Sequence, residues 1–337
     1  MPDTPQELNE TLFMTDEDVR TSFDWAEASA ALRRAYSARS TPGQFPPRTM
    51  ARHEGCWLRV LSGIEPNAGV MGTKIIAASM KAGAVSYLIP LYDLRTMALL
   101  CLMDANAITG FRTAATTALA LDILANPDAR RVAVIGSGFE AKTHVRALAA
   151  IRPLDLVTVY SPRPESRVRF IEELSDLGIP MEAADSAEGA VEDAGIVLCA
   201  ARSRDETPTL RGAWLKSGVT VASIGSTLQE QREVDPETIA AAALIVADMP
   251  HEVADETGDM LAATAAGVQF ADRLIALEEL VSGAHPGRAD PGQIILYKSV
   301  GSAIQDIVVA AMCFGRSREL GLGTPMPATI VPIHKGK

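Results

Sequence analysis

Hydrophobic positions change their spacing near the middle of the chain, and the change predicts two kinds of architecture. The first third contains four strand-like runs: Cys56–Ile64, Val70–Ala78, Val85–Tyr92 and Met97–Met103. Consecutive strands without intervening helices predict an antiparallel or mixed sheet. Two helices are expected before it, one capped by Thr15 and one over Trp25–Ala38, whereas residues 1–14 are expected to form a loose lead-in.

A long helix over Ala107–Ala125 separates this region from one in which strands and helices alternate. Strands are expected at Arg131–Ile135, Leu156–Tyr160, Pro180–Ala183, Gly195–Ala200, Val219–Ile224, Leu244–Ala247 and Gln293–Lys298. This alternation predicts a doubly wound α/β domain, in which ligands bind at the carboxyl ends of the strands. A final helix over Val300–Leu320 is expected to pack back on the first region.

The predicted fold class is therefore α/β: a Rossmann-type doubly wound sheet inserted into a split α+β domain. The expected boundaries are 1–118 for the first part of a substrate-binding and dimerisation domain, 119–298 for the dinucleotide-binding domain, and 299–337 for a helix and tail that return to the first domain.

A glycine motif follows the first strand of the alternating region. Gly136, Gly138 and Ala141 have the spacing G-x-G-x-x-A, and the pattern after them is helical. Gly136 permits a tight turn, Gly138 lets the backbone approach a pyrophosphate, and Ala141 allows helix and strand to pack closely. The new helix also presents unpaired N–H groups to the phosphates. The strand before and the helix after this motif favour a dinucleotide site over an ordinary glycine turn.

Composition excludes several classes of protein. The chain has 337 residues, 47% of them hydrophobic, and a net charge of −11, which argues against nucleic acid or an anionic membrane as a partner. No apolar run has the length of a membrane span, and the acidic start of the chain lacks a secretion signal, so a cytoplasmic protein is expected. The four cysteines are widely spaced and the five histidines lack metal-ligand spacing, so neither disulfides nor a metal is expected.

Three cations of the first region lie among apolar or tightly turning residues. Arg48 ends a proline-rich loop, Lys74 lies inside a strand, and Arg112 lies near the start of the long helix. A lysine in a buried strand needs a counter-charge or a cavity. An arginine near a helix N-terminus is unfavourable unless an anion offsets the helix dipole. Together the three cations would bind a carboxylate, although three unrelated ion pairs would fit the same pattern.

These motifs together resemble the ornithine cyclodeaminase/mu-crystallin family over nearly the whole chain. The segments that carry the resemblance are Gly72–Ile75, Ile108–Ala115, Val134–Ala141, Ile224–Thr227 with Arg232–Asp235, and Lys298–Gly301. The resemblance implies a homodimer whose first domains pair through their sheets, with a nicotinamide cofactor between the domains. It also implies that Arg48, Lys74 and Arg112 converge on the α-carboxylate of the substrate.

The resemblance further implies which residues contact the cofactor. They are Thr113, Gly136, Ser137, Gly138, Phe139, Glu140, Ala141, Ser161, Arg163, Ser226, Ser299, Val300 and Gly301. NADP(H) is expected to be preferred, with NAD(H) as the alternative. An NAD site usually has an acid at the end of the second strand, whereas Leu156–Tyr160 is followed here by Ser161, Pro162 and Arg163. A serine hydroxyl and a guanidinium both suit a 2′-phosphate, and Arg167 one turn further could assist.

Members of this family pass hydride between nicotinamide and the α-carbon of an amino acid through an imine. Cyclodeaminating members carry an aspartate in the loop where this chain has Thr227, which favours simple reduction of a 2-imino acid or the reverse dehydrogenation. The catalytic residues are then Lys74, Arg112 and Thr227, with Lys74 or a water as proton donor. The alternatives are an ornithine cyclodeaminase-type lyase and a non-catalytic protein that binds NADPH and a small ligand.

Overall fold

The computed structural model describes residues 10–201, 203 and 206–333. It divides into two compact units, one made of Met1–Arg112 with Ser302–Lys337 and the other of Thr113–Gly301. The second unit is thus inserted in the sequence of the first. The domain ends expected at residues 118 and 298 lie close to these divisions and remain a proposal.

The strands, in chain order, are β1 (Leu12–Met14), β2 (Thr49–His53), β3 (Cys56–Glu65), β4 (Val70–Ser79), β5 (Ala84–Asp93), β6 (Leu99–Asp104), β7 (Arg131–Ile135), β8 (Leu156–Tyr160), β9 (Met181–Ala183), β10 (Ile196–Cys199), β11 (Thr220–Ser223), β12 (Ala242–Ala247), β13 (Leu274–Ala276), β14 (Ile294–Lys298) and β15 (Thr324–Pro325). The α-helices are α1 (Asp16–Ser22), α2 (Trp25–Ser37), α3 (Asn106–Leu124), α4 (Phe139–Ala149), α5 (Pro164–Glu173), α6 (Ala187–Val191), α7 (Pro236–Ala241), α8 (Pro250–Glu256), α9 (Gly258–Ala265), α10 (Leu277–Val281) and α11 (Ala303–Leu320).

The first unit contains a mixed sheet in the order β15-β1-β6-β5-β4-β3-β2. The strands from β2 to β6 are antiparallel neighbours, as the sequence predicts, and β1 runs parallel to β6. Helix α11 covers one face: a side chain on Gly72 of β4 would meet the Cδ1 of Ile307 at 2.9 Å. On the same face Leu61 and Ile76 pack with Ala303. The glycine is therefore required for the close approach of helix and sheet.

Two expectations about this unit are wrong in detail. Residues 12–14, expected in a loose lead-in, form β1 because they pair with β6 and β15; residues 1–9 lie outside the described range. The last helix begins at Ala303 and not at Val300. Gly301 has φ +85° and Ser302 is extended, so the chain turns sharply before the helix can start.

The second unit is built on eight parallel strands in the order β13-β12-β14-β11-β10-β7-β8-β9. The chain moves outward from β7 to β8 and β9 and then returns to β10 on the other side of β7. Such a reversal leaves a crevice at the carboxyl ends of the two central strands, where ligands of doubly wound sheets bind. The predicted fold class is confirmed. Among the described residues, no helix is long and apolar enough to cross a membrane.

Candidate active site

The first unit brings Lys74 and Arg112 to one carboxylate. Lys74 of β4 donates from Nζ to Oδ1 of Asp306 over 2.7 Å, and Nε of Arg112 in α3 lies 2.9 Å from the same oxygen. All three side chains are buried. Two cations thus share one anion, and the described cluster carries an excess of positive charge inside the protein. A further anion beside Lys74 and Arg112 would be stabilised by that charge.

The second oxygen of this carboxylate is available for another interaction. Oδ2 of Asp306 is buried and, among the described residues, has no hydrogen-bond partner. A buried acceptor without a donor is costly, so such an atom commonly marks the place of a ligand or an ordered water. An N–H group of a bound molecule would satisfy Oδ2.

Arg112 is oriented by a hydrogen-bonded chain within the same unit. Its Nη1 donates to Oε1 of Gln305 over 2.6 Å, and Nε2 of Gln305 donates to the hydroxyl of Tyr36 over 3.1 Å. Because both ends of the Gln305 amide are engaged, its oxygen is fixed towards Arg112. The guanidinium is therefore held in one orientation before any substrate binds.

The environment of Lys74 makes its ammonium more acidic. Burial, together with the charge of Arg112, lowers the pKa of Lys74 from 10.5 to about 8, against the opposing effect of Asp306. A lysine with such a pKa exchanges a proton near neutral pH.

The predicted need for a counter-charge at Lys74 is confirmed, and Asp306 supplies it. Lys74 and Arg112 are both ion-paired, but with the same oxygen and so not independently, and their contact with a substrate remains a prediction. Sequence analysis did not single out Asp306, although Gln305-Asp306 inside an otherwise apolar helical run was a usable signal. Arg48 is half-buried just before β2, and its convergence with the other two cations remains a prediction.

The glycine turn of the second unit fits a dinucleotide. Gly136 has φ +114°, and a side chain there would meet the carbonyl oxygen of Ala200, just past β10, at 2.6 Å. Gly138 faces open space and precedes the N-terminus of α4, while Ala141 is fully buried against the sheet. The turn thus lies at the strand-order reversal, with an approachable backbone at Gly138, as pyrophosphate binding requires.

Four other residues expected at the cofactor surround this turn or belong to the long helix. Ser137 and Glu140 are half-buried, and Phe139, the first residue of α4, is exposed. Thr113 is half-buried in α3 at the start of the second unit. His144, one turn into α4, is buried with Nε2 3.2 Å from the hydroxyl of Thr117.

The end of β8 carries Ser161, which is buried, and Arg163, which is exposed just before α5. The expected assistance from Arg167 is wrong. Its Nε donates to the carbonyl of Ser161 over 2.7 Å, and Nη1 donates to the carbonyl of Ala184. Arg167 also lies over the ring of Tyr160. It therefore braces the end of β8 and does not extend towards a phosphate.

A buried ionic network supports the loop after β11. Nζ of Lys298 lies 2.8 Å from Oδ2 of Asp259 and donates to the hydroxyl of Ser223 and the carbonyl of Ser226. Oε2 of Glu233 accepts from Ser223 over 2.7 Å and from the N–H of Gly225 over 2.8 Å. The network ties both ends of the 224–233 loop to the strand edge. Burial raises the pKa of Glu233 to about 7, opposed by the charge of Lys298.

The segment after β14 is held by one further carboxylate. The hydroxyl of Ser299 and the N–H groups of Val300 and Gly301 all donate to Asp248, at 2.6 to 3.0 Å. Asp248 follows β12, the neighbour of β14. These bonds fix the segment that is expected beside the nicotinamide. Neither Asp248 nor the Glu233 network was foreseen as part of the site.

The profile of the ornithine cyclodeaminase/mu-crystallin family matches residues 10–320. The chain belongs to this family.

Two relatives of this chain are reductases. The Delta(1)-pyrroline-2-carboxylate reductase of Bacillus cereus is 28% identical over 268 residues, which cover 78% of this chain and 81% of the relative. The iminosuccinate reductase of Paracoccus denitrificans is 27% identical over 304 residues, which cover 88% of this chain and 91% of the relative.

Solved structures agree with this placement. The Delta(1)-pyrroline-2-carboxylate reductase of Thermococcus litoralis, in complex with NADH and L-proline, matches with a TM-score of 0.85 and 28% identity, covering 93% of this chain and 99% of that one. An archaeal alanine dehydrogenase dimer with bound NAD matches with a TM-score of 0.85 and 25% identity, covering 94% of this chain and 99% of that one. The family resemblance is thereby confirmed, and the cofactor is a nicotinamide dinucleotide.

Thr227 is the residue at which the family resemblance implies an aspartate in cyclodeaminating members. It is half-buried, and its N–H donates to Oε1 of Gln231 over 2.9 Å. Of the nearby acids, Asp235 caps α7 by accepting from Thr238, and Glu230 is exposed. Asp235 is therefore engaged in a helix cap.

Proposed function

We propose that this protein reduces the C=N bond of a small 2-imino acid to an amino acid, with NAD(P)H as the reductant, and catalyses the reverse dehydrogenation. The observation that carries the proposal is the sharing of Asp306 by buried Lys74 and Arg112. The excess positive charge of these three residues suits a substrate α-carboxylate. The named relatives are reductases of 2-imino acids.

Each residue of the cluster has a task in this reaction. The α-carboxylate binds to Lys74 and to the preoriented guanidinium of Arg112, with Arg48 as a further contact. The substrate N–H donates to the second oxygen of Asp306, which favours the protonated imine and so an electron-poor carbon. When bound, NAD(P)H would supply the hydride for that carbon. The amine nitrogen formed in this way takes one more proton to become an ammonium. Lys74, with a pKa of about 8, is the donor of that proton within the cluster.

The cofactor is assigned to the second unit. The pyrophosphate would lie against Gly136–Ala141 and the N-terminus of α4, and Ser299, Val300 and Gly301 would flank the nicotinamide. Thr113, Ser137, Phe139, Glu140 and Ser226 complete the proposed contacts. Ser226 would act through its backbone, since its hydroxyl donates to the carbonyl of Gln231.

NADP(H) is the proposed preference. No acid stands at the end of β8 before Glu165, and Arg163 is exposed next to buried Ser161. A guanidinium pairs with a 2′-phosphate, whereas the carboxylate of an NAD site would repel it. The named structures contain NADH or NAD, so the preference concerns this chain alone.

A homodimer is proposed through the sheet of the first unit. The face opposite α11 exposes Leu58 and Leu88, and a groove lined by Trp57, Leu58 and Val85 opens at the strand ends. Apolar surface of this kind favours association. Sedimentation of the purified protein tests the proposal, and a monomer at micromolar concentration would refute it.

The reduction itself is tested by following NAD(P)H absorbance with a panel of 2-oxo acids plus ammonia or amines. Reductase activity requires oxidation of the cofactor with at least one such imine. Release of ammonia and proline from ornithine would favour the lyase, which needs a base that Thr227 cannot supply. Ligand binding without turnover would favour a non-catalytic binding protein.

A further inference from the structure

A further cation, Arg59, lies on the same face of the sheet of the first unit as Lys74. Arg59 of β3 pairs with Ile76 of β4, and Leu61 pairs with Lys74. Paired residues share a face, and so do residues two apart on one strand, which makes Arg59 and Lys74 diagonal neighbours. Their Cβ atoms are then separated by roughly 7 Å. This is the face that α11 covers, through Leu61, Ile76 and Ala303.

The guanidinium of Arg59 is held by an aromatic ring. Its Cζ lies 5.1 Å from the ring centre of Trp57, two residues earlier on the same strand, and Arg59 is half-buried. Stacking of this kind limits the freedom of the side chain and leaves the edge of the guanidinium able to bind an anion. The charge of Arg59 reaches Lys74, since it adds to burial and to Arg112 in lowering the pKa of that lysine.

We infer that Arg59 binds a second carboxylate of the substrate, so that the preferred imine is a short dicarboxylate. The inference rests on the proposed imine reduction and adds its substrate class. Lys74 and Arg112 take the α-carboxylate, and a carboxylate two carbons further along would meet Arg59 one diagonal step across the sheet. The reaction is 2-imino diacid plus NAD(P)H plus H⁺ giving the amino diacid and NAD(P)⁺. A cyclic monocarboxylate such as pyrroline-2-carboxylate has no group for Arg59.

The test compares two substrates in two variants. The diacid is iminosuccinate, formed from oxaloacetate and ammonia, and the monoacid is pyrroline-2-carboxylate. Arg59→Gln should lower kcat/KM for the diacid roughly 10- to 100-fold, as expected for loss of a hydrogen-bonded charge pair, and leave the monoacid within about two-fold. Arg52→Gln is the matched control, because Arg52 is an exposed cation on β2 that pairs with Trp57.

The unchanged monoacid rate would show that the variant is folded. Equal loss for both substrates, or no loss for the diacid, would overturn the role of Arg59 while imine reduction stands. If the wild type turns over neither these two imines nor any other of the panel, the proposed function fails, and calorimetry then decides the inference separately. With NADP⁺ present, L-aspartate should bind the wild type at least 10-fold more tightly than it binds Arg59→Gln, and equal affinities would reject the inference.

Discussion

The Nζ of Lys74 lies 2.7 Å from Oδ1 of Asp306, and the two residues are 232 positions apart in the chain. Lys74 comes from an early strand and Asp306 from the last helix. The centre of the first unit is therefore complete only after the chain has passed through the whole inserted unit and returned.

Removing the shared carboxylate of Asp306 should lower the stability of the protein more than removing one of the cations that contact it. Asp306→Asn leaves Lys74 and Arg112 buried without their common carboxylate, whereas Lys74→Met leaves Asp306 paired with Arg112. We expect Asp306→Asn to lower the free energy of unfolding by about 3–5 kcal/mol, and Lys74→Met to lower it by less. Urea unfolding of both variants measures this. The interpretation fails if Asp306→Asn is the more stable of the two.

The proton donor should be visible in the pH dependence of turnover. Burial and Arg112 lower the pKa of Lys74 to about 8, so the ammonium that donates a proton is lost as the pH rises through that value. For imine reduction kcat/KM should fall above pH 8, and for amino-acid oxidation it should rise over the same range. Lys74→Arg keeps the charge but cannot titrate there, so it should lose this inflection. An unchanged profile in Lys74→Arg would remove Lys74 from the role.

Much of the proposed cofactor site is predictable because it is local in sequence. The positive φ of Gly136, the open Gly138 and the buried Ala141 belong to one strand–turn–helix unit, whose spacing alone specifies the geometry. The alternation of strands and helices is equally local, so the parallel sheet could be expected. The ends of several strands differ from the prediction by a residue or two, because tertiary pairing decides where a ladder stops.

The supporting carboxylates could not be predicted in the same way. Glu233 bonds to Ser223 ten residues away, but Lys298 reaches Ser223 across 75 residues and Ser299 reaches Asp248 across 51. No periodicity in the sequence specifies which acid meets which cation once the chain has folded. Arg167 illustrates the same difficulty. Its position in the sequence suits a phosphate contact, but in the fold its guanidinium donates to backbone carbonyls.

The buried carboxyl of Glu233 should affect the pH dependence of stability. Its pKa is raised from 4.5 to about 7 by burial, so the folded protein binds more protons than the unfolded chain between these values. Stability from this group is present at low pH and is lost as the pH rises through about 7. The stability advantage of wild type over Glu233→Gln should therefore shrink between pH 4.5 and 7, as measured by urea unfolding. A difference that grows with pH over this range would contradict the assignment.

The proposed preference for NADP(H) is assigned to Arg163. Wild type should bind NADPH more tightly than NADH, and Arg163→Ala should weaken NADPH binding about 10-fold with little effect on NADH. Fluorescence titration measures both affinities. Arg169→Ala, the same change on the exposed side of α5, is the control. Equal affinity of the wild type for the two cofactors would disprove the preference.

The most direct test of the account is the rate of NAD(P)H oxidation with 2-imino acids, for wild type and Lys74→Met, beside proline formation from ornithine. We predict that the wild type reduces at least one 2-imino acid and makes no proline from ornithine. Lys74→Met should bind the cofactor normally and lose at least about 30-fold in kcat/KM, equivalent to roughly 2 kcal/mol of transition-state stabilisation. Proline production by the wild type, or near-normal imine reduction by Lys74→Met, would contradict the account.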